Sequence, residues 1–440
     1  MISIVIPESF FPEVQYTFSI LIEEFLGQTC TYSTSRQSED YSIIIASGKN
    51  IVIKNAFFSG YSEKEGYLYN SALPSSIDIW NDRYLNIQDL PVIYGKGNLE
   101  ESNDQIEVKA DLIASAFFML TRWEEVLDDD LDIHKRCKGA NAIAFKYNFL
   151  HRAIVNEYAD VLWTLLIKAG YTGTRKVHTY QSVITHDVDQ PYQWPDWYTS
   201  IKHLGGDLIR RRDLSLAGIH LKSLYETRIK GQQDPFDQLG YLLNLAEKNN
   251  YQAYFNFIIS QRSRYDQPLS LSDPRLKTWI DRIESAGHVI GYHPGYTVHL
   301  DKKIFNAELA QLQSLVRQDI ISGRQHFLRF KVSETWTLWD QAGMQWESSM
   351  GYSDLPGFRC GTCYTYTVFD CKGRKKLALK EKPLILMDAT LVYYQTDFQM
   401  DAVLALKNQC KKHQGEWVTI WHNDLVNHPK LKEFESVILE

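Results

Sequence analysis

Cysteine is scarce: six residues (Cys30, Cys137, Cys360, Cys363, Cys371 and Cys410) in a chain of 440. That is too sparse for a disulfide scaffold, and Cys360-x-x-Cys363 with Cys371 lacks the second pair that a zinc ribbon needs. Long apolar runs are absent as well. The most apolar stretch, around Leu112 to Leu120, is too short to span a bilayer and is flanked by Asp111 and Arg122-Trp123-Glu124-Glu125. The opening Met1-Ile2-Ser3-Ile4-Val5-Ile6-Pro7-Glu8 has neither a basic region nor the long apolar run of a secretory leader, so a cytoplasmic location is expected. An excess of positive charge is also missing; the net charge of −7 gives no reason to expect a nucleic-acid partner.

What is present describes a globular chain. Hydrophobic residues make up 44% and charged residues 23%, and the length exceeds one ordinary core, so two domains are expected. Aromatic residues reach 13%. Such side chains stack on sugar faces in carbohydrate-handling proteins and fill cores in others.

Residues 1–175 read as a mixed α+β domain without visible chemistry. Short β-type runs (Ser3 to Ile6, Tyr41 to Ala46, Ile51 to Ile53) alternate with amphipathic pieces, the first from Val14 to Leu26. A helical segment is expected from Gln105 to Leu127, with its Arg122 to Glu125 end as a solvated or interface face. Ile154 to Lys168 reads as a helix closed by Ala169-Gly170.

Residues 176–440 alternate strand and helix, which implies a parallel sheet and a (β/α) barrel whose functional face lies at the C-terminal strand ends. Expected strands cover Ser182 to Val188, Ala253 to Ile259, His288 to His293, Gly323 to Leu328, Pro383 to Asp388 and Trp417 to His422. Helices are expected after Asp234-Pro235 and Asp273-Pro274, from Phe305 to Ile321, from Ser333 to Gln341 and from Ala402 to Lys412. Within the first strand Asp187 and Asp189 are two apart and share a face; paired carboxylates at a strand end repel each other unless a cation or proton intervenes. Asp187, Asp189, His293, His326 and His422 all fall at or near strand ends.

From Val183 to about Asn423 the chain resembles the polysaccharide deacetylases of carbohydrate esterase family four, in an atypical subgroup. Residues 1 to about 175 look like the N-terminal extension that accompanies it. Thr185-His186-Asp187-Val188-Asp189 is similar to the family's first motif, Ile290-Gly291-Tyr292-His293 to the second, Arg324-Gln325-His326-Phe327 to the third and Thr419-Ile420-Trp421-His422-Asn423 to the last. The resemblance implies a distorted barrel with fewer than eight strands and a metal-dependent hydrolysis of N-acetyl or O-acetyl groups on sugars. Asp187 would be the general base, Arg324 its orienting residue, His422 the general acid, and Asp189 and His293 metal ligands.

Two departures stand out. The second motif calls for another His four residues after the first; that position is Thr297, and His299 comes two residues late. The third motif has lost its proline and gained His326, which either restores an Asp-His-His ligand set from another strand or marks a site that no longer holds metal tightly. Zinc suits such a set, with cobalt, nickel and manganese as alternatives. The expected partner is an N-acetylated saccharide or an activated sugar. The long insertion from Pro191 to Gln233, with Trp194 and Arg210-Arg211-Arg212, reads as a lid or a packed helical excursion. Asp354 and Arg359, in the Gly351 to Thr362 loop, are further substrate-binding candidates or pair with each other. The alternative to an enzyme is a decayed deacetylase fold that binds a glycan or a partner.

Overall fold

A computed structural model of the chain describes residues 2–46, 48–395 and 400–439, with the side chain of Arg210 left out. Two compact units form, and they interleave along the sequence. The first takes Met1–Gln181, Phe327–Leu386 and Gln399–Val418; the second takes Ser182–His326, Met387–Phe398 and Thr419–Glu440. The expected change of domain at 175–176 is a single cut, whereas the packing returns two later stretches to the first unit.

The first unit is built on a six-stranded sheet in the order Cys30–Ser35, Ile2–Pro7, Tyr41–Ile45, Asn50–Ile53, Gln105–Ala110, Gly95–Glu101. Ile2, Ile4 and Ile6 alternate into the core, as period-two patterning requires. The helix expected from Gln105 onward is corrected. Gln105–Ala110 is a strand that buries Ile106, Val108 and Ala110 at every second position and pairs with Asn50–Ile53. Asp111 ends it and caps the following helix Leu112–Thr121 by accepting the Ala114 N–H at 2.8 Å. Ile154–Lys168 is one helix, and Gly170 behind it takes φ 94°.

The Arg122 to Glu125 end is not solvated. Arg122 is fully buried, and its Nε donates to Glu125 at 3.0 Å. Glu125 also accepts from Arg359 Nε at 2.9 Å. Burial alone would raise the Glu125 pKa, but Arg359 and Arg122 outweigh it and hold it at about 2. All six cysteines are free thiols, and among the described residues none joins a metal-capable cluster. Among the described residues no helix is long and apolar enough to cross a membrane.

The second unit carries the parallel strands. Ser322–Gly323, Val289–Tyr292, Tyr254–Phe257 and Gln181–Val188 are neighbours in that order, and the last residues of Glu416–Ile420 flank Gln181–Val188, with Trp421 N–H donating to Thr185 O at 2.9 Å. Among the described residues these strands form an open sheet and not a closed ring. Helices Leu239–Lys248, Pro274–Ser285 and Lys302–Gln313 alternate with them, the second capped by Asp273 as its Asp-Pro start predicts. Asp234-Pro235 does not begin a helix; the Asp234 carboxylate instead accepts the Gln193 and Trp194 N–H groups, both at 2.8 Å, and the helix starts at Leu239. The strand expected over 323–328 shrinks to Ser322–Gly323, because Phe327 and Leu328 adopt left-handed φ of 61° and 53° that no ladder accommodates. The helix expected to reach Ile321 ends at Gln313.

Register decides which side chains meet. Asn256 lies opposite Asp187 on one side and Gly291 on the other. A Cβ on Gly291 would stand 2.0 Å from Asn256 Oδ1, so only glycine leaves room for that amide. Gly291→Ala should therefore destabilise the protein by roughly 1–3 kcal/mol in denaturant titration, the usual cost of overpacking. An unchanged midpoint would mean that Asn256 is free to move aside.

Candidate active site

Five strand ends of the second unit deliver one cluster. The strand Gln181–Val188 alternates, so Thr185 and Asp187 share a face while His186 turns to the other, its Nδ1 2.8 Å from Trp421 O. Asp187 is buried. Its Oδ1 accepts from Arg324 Nη1 and from Asn256 Nδ2, both at 2.8 Å. The same Arg324 nitrogen donates to Thr185 Oγ1 at 2.8 Å, and that hydroxyl donates onward to Thr419 O at 2.7 Å. Burial alone would raise the Asp187 pKa; Arg324, then His293 and His422, outweigh it and keep the carboxyl below its usual range.

Asp189, His293 and His326 form the second layer of the cluster. Each offers a ligand atom, and these atoms all lie within 4.8 Å of one another. His293 Nε2 is 3.1 Å from Asp189 Oδ1, and His326 Nε2 is 3.4 Å from Asp189 Oδ2. Neither Asp189 Oδ1 nor His293 Nε2, both buried, completes a hydrogen bond. Both imidazoles are held from behind: His293 Nδ1 is 2.6 Å from Arg324 O, and His326 Nδ1 is 3.0 Å from Asp266 Oδ1. A carbonyl accepts only, so Nδ1 of His293 carries a proton and Nε2 is the nitrogen that faces Asp189. An O/N/N donor set with outer atoms held this way fits a divalent cation, and the Asp189 side chain, 25% exposed, leaves the site accessible. Burial opposes charge on His326, but Asp189 and Asp266 outweigh it and raise its pKa to about 9.

His422 follows the strand Glu416–Ile420. Its Nδ1 is 2.6 Å from Asp388 Oδ1, its own N–H donates to Asp388 Oδ2 at 2.7 Å, and its Nε2 faces Asp189 at 4.0 Å. Burial would lower its pKa; Asp388 first, then Asp189 and Asp187, raise it well above the usual histidine value. A cavity of about 1110 Å³ adjoins this cluster, lined by Gln190, Tyr192, Lys202, Tyr265, Asp266 and Arg275 among others.

Asp187, Asp189, His293, Arg324, His326 and His422 are thus brought together. Thr297 is exposed and His299 is outside the ligand group. Asp354 and Arg359 belong to the first unit: Asp354 accepts the Gly139 N–H at 3.0 Å, and Arg359 is buried against Glu125, so the guanidinium is committed to an internal pair and not to each other or a ligand. Trp194 is buried, with its indole N–H donating to Ser223 Oγ at 3.0 Å; its ring is part of the insertion's interior and not a stacking platform.

Three members were not anticipated. Asp388 closes the expected strand Pro383 to Asp388 as Asp187 nearly closes the first, and that position was the available signal. Asn256 is a lone polar residue inside Tyr254-Phe-Asn-Phe257. Asp266 lies in a loop and had no signal at all.

Residues 2–171 match the model of a family of unknown function (DUF7033). Among curated proteins none matches the chain. A crystal structure described as "putative polysaccharide deacetylase from Mycobacterium smegmatis" is similar at 15% identity and a TM-score of 0.38, over 61% of this chain and 85% of that one.

If Asp266 orients His326 for a cation, Asp266→Ala should weaken zinc affinity by about 10–100-fold in a chelator competition titration. Wild-type affinity in that variant would separate Asp266 from the site.

Proposed function

We propose that the chain is a metal-dependent hydrolase that removes an N-acetyl or O-acetyl group from a saccharide or activated sugar, acting as a carbohydrate deacetylase. The observation that carries the reading is the placement of an Arg-held carboxylate, Asp187, and an Asp-held imidazole, His422, within about 4 Å of the Asp189, His293 and His326 donor set. Such a pairing supplies a base and an acid whose pKa values are pushed apart.

Asp189, His293 and His326 would hold the cation, zinc being the best match to the donors. When bound, it supplies Lewis acidity at the acyl carbonyl and makes nearby water more acidic. The remaining chemistry belongs to the protein. Asp187 takes the proton from the attacking water, while Arg324 and Asn256 fix its Oδ1 so that Oδ2 points toward His293, 3.8 Å away. His422, charged at neutral pH, gives its Nε2 proton to the departing amine or hydroxyl, and Asp388 keeps the imidazole oriented and stabilises its charge.

Acetate release from N-acetylated sugars by metal-loaded protein tests the proposal. Asp187→Asn and His422→Ala should each lower turnover by about 10²–10⁴-fold while the protein stays folded. Saccharide binding without metal or acetate would instead identify a binding module.

The pKa directions set the pH profile. Asp187 is held low, so its base form is present throughout the neutral range; His422 is held high, so its acid form outlasts the ordinary histidine range. With the metal site kept loaded, activity should therefore be flat around neutrality, fall on the acid side only as Asp187 is protonated below the usual carboxylate range, and fall on the alkaline side as His422 loses its proton; Asp388→Asn should move that alkaline fall to lower pH in a kcat/KM titration. An alkaline limb that Asp388→Asn leaves in place would remove His422 from the role of acid.

A further inference from the structure

The helical insertion after the first strand carries an outward surface that the hydrolytic reading does not use. Residues 197–230 form the helix Trp197–Gly205, its π-type continuation Gly206–Arg211 and the helix Leu214–Arg228. Inward contacts tie the pair together. Asp207, fully buried, accepts from His220 Nδ1 at 2.6 Å and pairs with Arg211; the His203 and His220 rings stack at 4.8 Å and Trp194 packs on both. Only Ala217 and Leu224 of the longer helix are buried apolar residues.

The outward side is strongly apolar. Of the 23 large hydrophobic side chains exposed among the described residues, ten fall between Trp197 and Ile229. On the first helix and its continuation they are Trp197, Tyr198, Ile201, Leu208 and Ile209. On the second, Leu214, Leu221 and Tyr225 recur at i, i+7 and i+11, one stripe of a 3.6-residue helix that the C-cap Ile229 extends, while Ile219 is exposed on another side of the helix. Exposed apolar surface this concentrated marks an interaction site.

Charge identifies the occupant. Residues 197–230 hold seven Lys or Arg (Lys202, Arg210, Arg211, Arg212, Lys222, Arg228 and Lys230) against three acids (Asp207, Asp213 and Glu226), a net +4 in a chain of −7, so the remainder carries −11. A second copy in a two-fold pair would set two such net-positive segments against each other. An anionic bilayer surface offers the opposite: apolar depth for Trp, Leu and Ile, an interfacial level suited to Trp and Tyr, and phosphates for the lysines and arginines. We infer that residues 197–230 dock the chain onto an anionic membrane surface, lying in the interface without crossing it.

Flotation of the full chain with vesicles tests this. Phosphatidylglycerol-containing vesicles should carry the protein with them, phosphatidylcholine vesicles much less, and added salt should weaken the association. Ile201→Ser with Leu221→Ser should lower vesicle binding by roughly tenfold. Arg212→Gln with Lys222→Gln should lower it by about fivefold per residue on anionic vesicles only. Circular dichroism and thermal unfolding should match wild type in both variants, since all four side chains are exposed. Absence of binding, equal binding to both lipids, or a wild-type dimer in light scattering that the apolar variant dissolves would each overturn the inference.

Discussion

Much of the second unit's chemistry depends on one buried ion pair, Arg324 with Asp187. Two charges removed from water cost several kcal/mol each, and their attraction repays this only when the remaining donors and acceptors are also matched. Here they are: Asn256 takes a share of the same carboxylate oxygen, Thr185 takes the arginine's second contact, and Thr419 accepts from Thr185. Four strands contribute to that small network, so their relative register is locked by polar geometry in addition to apolar packing. The Arg324 backbone carbonyl also accepts at His293 Nδ1. One residue therefore positions both a carboxylate and a candidate metal ligand.

Four of the groups that face the centre are each held by a contact on the far side. His293 leans on a carbonyl, His326 on Asp266, His422 on Asp388 and Asp187 on Arg324. The partner's charge then sets the character of each group. A cation behind Asp187 keeps it ionised, and a carboxylate behind His422 keeps it protonated. The charge of each group is thus set less by the residue itself than by what stands behind it.

The facing groups and Arg324 behind Asp187 were legible in the chain alone, whereas Asp388, Asn256 and Asp266 were missed. Asp187, Asp189, His293 and His422 follow strands whose Val, Ile and Trp content marks them plainly, so their arrival at one edge was legible. Arg324 and His326 were identified even though their strand is only two residues long, because the motif order located them. Asp266 was illegible: its loop position has no periodicity, and the 60 residues separating it from His326 are bridged only in three dimensions. The candidates Asp354, Arg359 and Trp194 lie outside the cluster for a related reason. Polar or aromatic residues in a Gly- and Pro-rich loop or a long insertion look available, yet Arg359 spends its charge on Glu125 and Trp194 its ring on the interior.

Local patterning located most strands of the second unit and showed which of their ends carry acids and imidazoles, since period-two burial acts over a few neighbouring residues, but it misplaced helix bounds such as those after Asp234 and Phe305. Tertiary structure decided the rest. It turned 105–110 from helix to strand by giving it Asn50–Ile53 as a partner, and it returned 327–386 to the first unit. It also brought His326 beside His293 where Thr297 breaks the expected spacing. Those outcomes rest on pairing and close packing between segments far apart in the chain, for which the sequence carries little local trace beyond the period two of Ile106, Val108 and Ala110.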